Sequence, residues 1–122
     1  MKTLTRAEED VMKILWRLKK AFVKDIIAEM DDPVPAYNTI STVIRILEKK
    51  EVVGYKVYGN THQYFPLISE EEYKRQEMKQ MMASYFQNSL SNMVSFLVKD
   101  NDLDVSDLDE LLKLIKDHKS KK

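Results

Sequence analysis

The chain has 122 residues, enough for one compact domain with an appendage, and its 20 Lys/Arg balance 20 Asp/Glu to a formal charge of zero. Cysteine is absent, which excludes disulfides, thiolate zinc sites and cysteine nucleophiles; the two histidines, His62 and His118, are too far apart to suggest a paired metal site. No apolar run nears the ~20 residues of a membrane span and no signal-peptide core opens the chain, so a cytoplasmic location is expected.

Thr5, with Glu8 three residues on, predicts a capping box. It opens a helix whose buried stripe reads Val11, Ile14, Leu15 and Leu18, with Trp16 off the stripe as a lid over the core. Ala21-Phe22-Val23 is a brief apolar stretch expected to add a third, edge strand to a small sheet. A short second helix then turns Val23, Ile26, Ile27 and Met30 inward. Asp31-Asp32-Pro33-Val34-Pro35 ends it, because proline disfavours helix in the residue before it and donates no backbone hydrogen bond.

The next segment has two opposed faces. Ile40, Val43, Ile44 and Leu47 recur at the spacing of one buried helical stripe. On the other side Asn38, Ser41, Thr42, Arg45 and Lys49 supply an amide, hydroxyls, a guanidinium and an ammonium, the groups that address base edges and phosphates. After this helix, Val52 to Val57 is β-branched and aromatic, and His62-Gln63-Tyr64-Phe65 returns along the same path. Tyr58-Gly59-Asn60-Thr61 between them has hairpin-turn chemistry, Gly59 and Asn60 both tolerating positive φ. A recognition-type helix followed by a two-stranded ribbon is the winged helix-turn-helix arrangement.

From Ser69 the character changes. Ser69 with Glu72 is a second capping box, and three carboxylates occupy a first turn where the helix dipole favours them. No break in the pattern is evident before Asp100, so the spacing predicts one helix of about 30 residues, on the order of 45 Å. It carries Met78, Met81, Met82, Tyr85, Phe86, Leu90, Met93, Val94, Leu97 and Val98; a last helix from near Ser106 carries Leu108, Leu111, Leu112 and Ile115. Two helices cannot cover that much apolar surface, and methionine suits an adaptable interface, so a two-fold dimer is expected. The predicted interface comprises Met78, Met82, Tyr85, Phe86, Leu90, Met93, Leu97, Leu108, Leu111, Leu112 and Ile115. The fold class expected is mainly α with a small antiparallel sheet: a winged helix-turn-helix domain over residues 1–67 and a helical dimerisation hairpin over 68–122.

Leu4 to Trp16 resembles the opening helix of the penicillinase repressor (BlaI/MecI) family, and Asn38 to Glu51 resembles that family's recognition helix and the turn after it. The resemblance implies a winged-helix homodimer that binds a palindromic double-stranded DNA operator and represses transcription, typically of β-lactam resistance genes. It also implies relief of repression by cleavage, triggered by a membrane-bound sensor metallopeptidase. The family is cut at an Asn-Phe bond late in the long helix; Phe96-Leu97 aligns there, and no Asn-Phe pair occurs in this chain. Copper-responsive relatives carry a cysteine cluster that this chain lacks.

On this reading Asn38, Ser41, Thr42 and Arg45 approach base edges, while Thr39 and Lys49 meet the phosphate backbone. Lys56, Asn60 and Thr61 on the wing meet backbone or minor groove, and Tyr37 and Tyr58 offer hydroxyls to phosphates. Residues 1–66 hold eleven basic against nine acidic side chains, and 67–122 nine against eleven, so the basic bias is slight and dimerisation is the natural remedy. The near-neutral charge leaves an alternative, a winged helix that binds proteins and not DNA; a steep salt dependence of duplex binding separates the two. No nucleophile–base pair, phosphate loop or metal spacing is present, so no enzyme activity, cofactor, metal or small-molecule substrate is expected. Asp102, Asp104, Asp107 and Asp109 lack the glycine and terminal glutamate of a calcium loop and read as a helix start.

Overall fold

The Thr5 hydroxyl accepts the Glu8 N–H at 3.2 Å while the Glu8 carboxylate accepts the Thr5 N–H at 3.1 Å, so α1 (Arg6–Leu18) begins in the reciprocal cap its sequence encodes. This computed structural model describes residues 3–100 and 104–120. Lys19, at φ 73°, closes α1 and donates its N–H to the Leu15 carbonyl. Helix α2 (Val23–Ala28) opens with the Asp25 carboxylate accepting the Phe22 N–H at 2.9 Å; α3 (Tyr37–Lys49) follows the proline-bounded link.

Strands β1 (Val53–Tyr58) and β2 (Thr61–Pro66) pair antiparallel, with Tyr58 opposite Thr61, which leaves Gly59-Asn60 as a two-residue loop. Only Gly59 takes a positive φ, 60°, at the first central position, as a type II′ turn requires. The expected third strand does not form. Ala21 exchanges two backbone hydrogen bonds with Tyr64, of 2.9 and 2.8 Å, as an isolated bridge, because Val23 already belongs to α2.

Val11, Met12, Leu15, Ile26, Ile44, Leu47, Val52 and Val53 are fully buried and knit the three helices to the sheet. Each such side chain contributes on the order of 1.5–3 kcal/mol. Met12 lies outside the predicted stripe yet is as buried as Leu15, since it occupies the flank of α1 beside that stripe. Trp16 is a lid: half-buried against the core, it donates its indole N–H to the Ile68 carbonyl at 2.8 Å. Its ring lies 5.5 Å from that of buried Tyr73, whose hydroxyl donates to the Glu9 carboxylate.

Residues Met1–Lys74 and Arg75–Lys122 form two compact units, so the first turn of α4 (Glu70–Phe86) belongs with the winged-helix unit. The predicted 30-residue helix is two helices. Gln87 (φ 52°) and Asn88 (φ 61°) are left-handed, the Asn88 N–H bonds the Met82 carbonyl, and the Ser89 hydroxyl caps α5 (Leu90–Lys99) by accepting the Asn92 N–H at 3.1 Å. With α6 (Val105–Ser120) the described residues of the C-terminal unit therefore hold three helices and not a two-helix hairpin. Asp104 and Asp107 exchange backbone N–H to carboxylate bonds of 3.1 and 2.9 Å as the cap of α6; Asp102 lies outside the described residues. Among the described residues no helix is long and apolar enough to cross a membrane.

Candidate nucleic-acid interface

Helix α3 is amphipathic as its spacing predicts. Ile40, Ile44 and Leu47 are buried and Val43 is half-buried against the core. Asn38, Thr42, Arg45 and Lys49 are exposed and Ser41 is half-buried, so the polar stripe faces solvent and not the protomer's interior. Its members satisfy one another across single turns. Arg45 donates from Nη2 to the Ser41 hydroxyl at 3.0 Å, and the Thr42 hydroxyl donates to the Asn38 carbonyl at 2.9 Å.

Beside this stripe, the start of α2, the side of α3 and the inner face of the wing enclose a cleft of about 560 Å³. From α3 it receives Tyr37, Ser41 and Arg45; from the wing, Asn60, Thr61, His62 and Tyr64; from the start of α2 and the residue before it, Phe22, Val23 and Lys24. Among these residues there are two fixed cations, an imidazole, an amide and four hydroxyls, and no carboxylate. Tyr64, at the buried end, stays a protonated donor: burial, then the nearby Glu48 carboxylate, raise its phenol pKa above the ordinary value.

The structure thus gathers five predicted residues, Tyr37, Ser41, Arg45, Asn60 and Thr61, around one cleft. Lys56 and Tyr58 form a separate pair on the hairpin, the ammonium 5.4 Å from the ring centroid, and Tyr58 meets Phe22 edge-on at 5.9 Å. Thr39 lies apart, lining a second cleft with Ile14, Met30 and Val43 on the other flank of α3. Sequence reasoning missed Lys24 and His62. Strand alternation carried from buried Tyr64 places His62 on the same inward face, a signal available in the sequence.

In the C-terminal unit, Met78, Tyr85, Leu90, Leu111, Leu112 and Ile115 are exposed, and Met82, Phe86, Met93, Leu97 and Leu108 are half-buried. No described residue from Arg75 to Asp117 is buried. Phe96 and Leu97, predicted from the sequence as a cleavage position, lie within α5, where the Phe96 ring is 5.9 Å from that of Phe86.

A solvent-facing polar helix, braced by α1 and α2 and flanked by a two-stranded wing, defines a winged helix-turn-helix DNA-binding protein. The sequence profile described as penicillinase repressor matches residues 4–117. The penicillinase repressor of Bacillus licheniformis is 24% identical over 120 residues, covering 98% of this chain and 94% of that protein. The methicillin resistance regulatory protein MecI of Mammaliicoccus sciuri is 29% identical over 115 residues, 92% of each chain. The solution structure of the DNA-binding domain of the repressor BlaI superposes with a TM-score of 0.51 at 28% identity, covering 60% of this chain and 94% of that one. The chain belongs to the penicillinase repressor (BlaI/MecI) family of transcriptional repressors.

Proposed function

We propose that this chain represses transcription as a homodimer on a palindromic operator, with α3 in the major groove and the wing along the flanking backbone. One observation carries the reading: in a chain of zero formal charge, the cleft beside the exposed face of α3 is lined by cations and hydroxyls without a carboxylate. Phosphate oxygens accept hydrogen bonds and carry negative charge, so such a lining suits them. Arg45, with Asn38, Ser41 and Thr42, reads base edges; released from Ser41, its guanidinium can pair two acceptors of one guanine. Tyr37, Thr39 and Lys49 hold phosphates, Thr39 from the opposite flank of α3. Lys56, Tyr58, Asn60 and Thr61 bring the wing to the backbone or minor groove.

Each half of a dimer adds one such surface, which offsets the weak charge of a single protomer. The predicted apolar residues of α4, α5 and α6 supply the pairing face, since each is at most half-buried in the protomer. Cleavage at Phe96–Leu97, initiated by a membrane sensor metallopeptidase, would divide that face and release the operator. Leu97 lies inside α5, so the segment must unwind before a peptidase can engage it.

Footprinting on the DNA upstream of the chain's own gene tests the reading. Two protected half-sites, spaced by about 10 base pairs or a multiple, are expected. The logarithm of affinity should fall with that of salt by about 0.9 for each phosphate neutralised. A flat salt response would favour the protein-binding alternative. Intact-mass analysis of the chain from induced cells carrying the sensor reports whether a fragment ending at Phe96 appears.

A further inference from the structure

We infer that His62 is a proton-gated phosphate ligand: as imidazolium it takes a backbone phosphate of bound DNA beside Lys24, so operator affinity rises on acidification. The inference rests on the DNA reading above and adds to it a residue and a dependence on pH. His62 is half-buried on β2 opposite Val57, its ring stacked on Tyr55 at 4.4 Å and 10° and edge-on to Tyr64 at 6.1 Å. The stack fixes the ring plane and leaves the rim, where the two nitrogens lie; among the described residues no hydrogen bond occupies either.

The groups around this ring are known from each side. Tyr55 faces it from β1 and Tyr64 from β2, while Lys24 from α2 and Tyr37 and Arg45 from α3 line the same cleft. The Glu48 carboxylate acts on Tyr64 at this end of the cleft, and it is not part of the lining. Among the described residues that line the cleft, an imidazolium here stands with two other cations and no carboxylate. A phosphate oxygen supplies the missing charge and accepts from an N–H donor of the charged ring. Binding therefore takes up a proton. The gain belongs to the charged ring and is absent when the ring is neutral.

Fluorescence anisotropy with a labelled duplex from upstream of the chain's own gene, at about pH 5.5 and about pH 7.5, tests this. The wild-type protein is expected to bind roughly 5-fold tighter per engaged protomer at the lower pH. Its salt slope should steepen by about 0.9 per protomer, a change that a merely structural role would not produce. His62→Phe keeps a ring against Tyr55 and removes the proton, so both increments should vanish. His62→Lys should hold the steeper slope at both pH values, and it carries the test alone if the phenylalanine variant fails to fold. Identical pH profiles for wild type and His62→Phe, or a His62→Lys slope no steeper than wild type at the higher pH, would overturn the inference and leave the DNA reading intact. Absence of salt-dependent binding by the wild-type protein at either pH would overturn both.

Discussion

Glu8 carries two duties in one carboxylate. It caps α1 through Thr5, and, buried, it pairs with Lys50, the C-cap of α3, whose ammonium also donates to the Thr3 carbonyl at 3.1 Å. Burial alone would raise its pKa, but the Lys50 hydrogen bond, the Thr5 N–H and the Lys50 charge together outweigh it and hold the carboxyl below its ordinary value. The folded-state pKa is depressed, so this stabilisation is present above the unfolded carboxyl's pKa and is lost as pH falls through the folded one. Glu8→Gln should cost about 2–3 kcal/mol in urea unfolding near neutral pH, and the gap from wild type should close as pH falls through the folded carboxyl's pKa. The cap was legible because it lies within four residues; the pairing with Lys50 spans 42 positions, and no local pattern reports it. The glycines divide in the same way. At Gly59 a Cβ meets nothing within 4 Å, and only the positive φ resists substitution, so Gly59→Ala should cost about 1 kcal/mol with no local repacking. At Gly54 a Cβ would stand 2.9 Å from the Phe65 ring and 3.3 Å from Leu67, so Gly54→Ala should shift the Phe65 ring resonances while Gly59→Ala leaves them in place.

At the scale of elements, periodicity succeeded where one face is buried by neighbours. The two stripes of α3 and the inward residues of α2 stand as their spacing demands because the core enforces them. It failed between α4 and α5, where apolar residues recur on both sides of Gln87-Asn88-Ser89 and hide the break. Asn in the left-handed region followed by a serine cap was the local signal, and hydrophobic spacing alone does not register it. The predicted edge strand failed for a different reason: Ala21 pairs once with Tyr64 before the chain commits to helix at Val23. The first turn of α4 is held to α1 by Tyr73, Trp16 and Glu9, and the chain's single tryptophan makes this junction measurable. Tyr73→Phe should lose about 1–3 kcal/mol with little change in Trp16 emission, since the hydroxyl bond to Glu9 goes while the ring stays. Tyr73→Ala should lose about 3–5 kcal/mol and red-shift that emission, because the ring covering the indole is removed.

For the whole molecule, the two units stand in contrast. Residues up to Lys74 build a closed core, whereas no described side chain from Arg75 to Asp117 is buried, and Tyr85, Leu90, Leu112 and Leu114 are each more than half exposed. Exposed apolar surface of that kind marks an association site, and the proposed two-fold pairing would cover it with the same residues contributed twice. The proposed repressor depends on that pairing for affinity, because a neutral protomer with one recognition helix attracts phosphate weakly. Leu90→Glu with Leu112→Glu places a carboxylate on each of two helices of this face and leaves the winged-helix residues untouched. Sedimentation equilibrium should then return the 14.4 kDa of one chain in place of twice that mass. Trp16 emission and the thermal transition of the winged-helix unit should stay close to wild type. On the upstream duplex the variant should lose cooperative protection of the second half-site, and its salt slope should fall to about half, since each protomer then releases only its own counterions. A variant that remains dimeric would move the pairing face away from these residues. One that becomes monomeric yet keeps the full slope would remove the need for pairing on DNA.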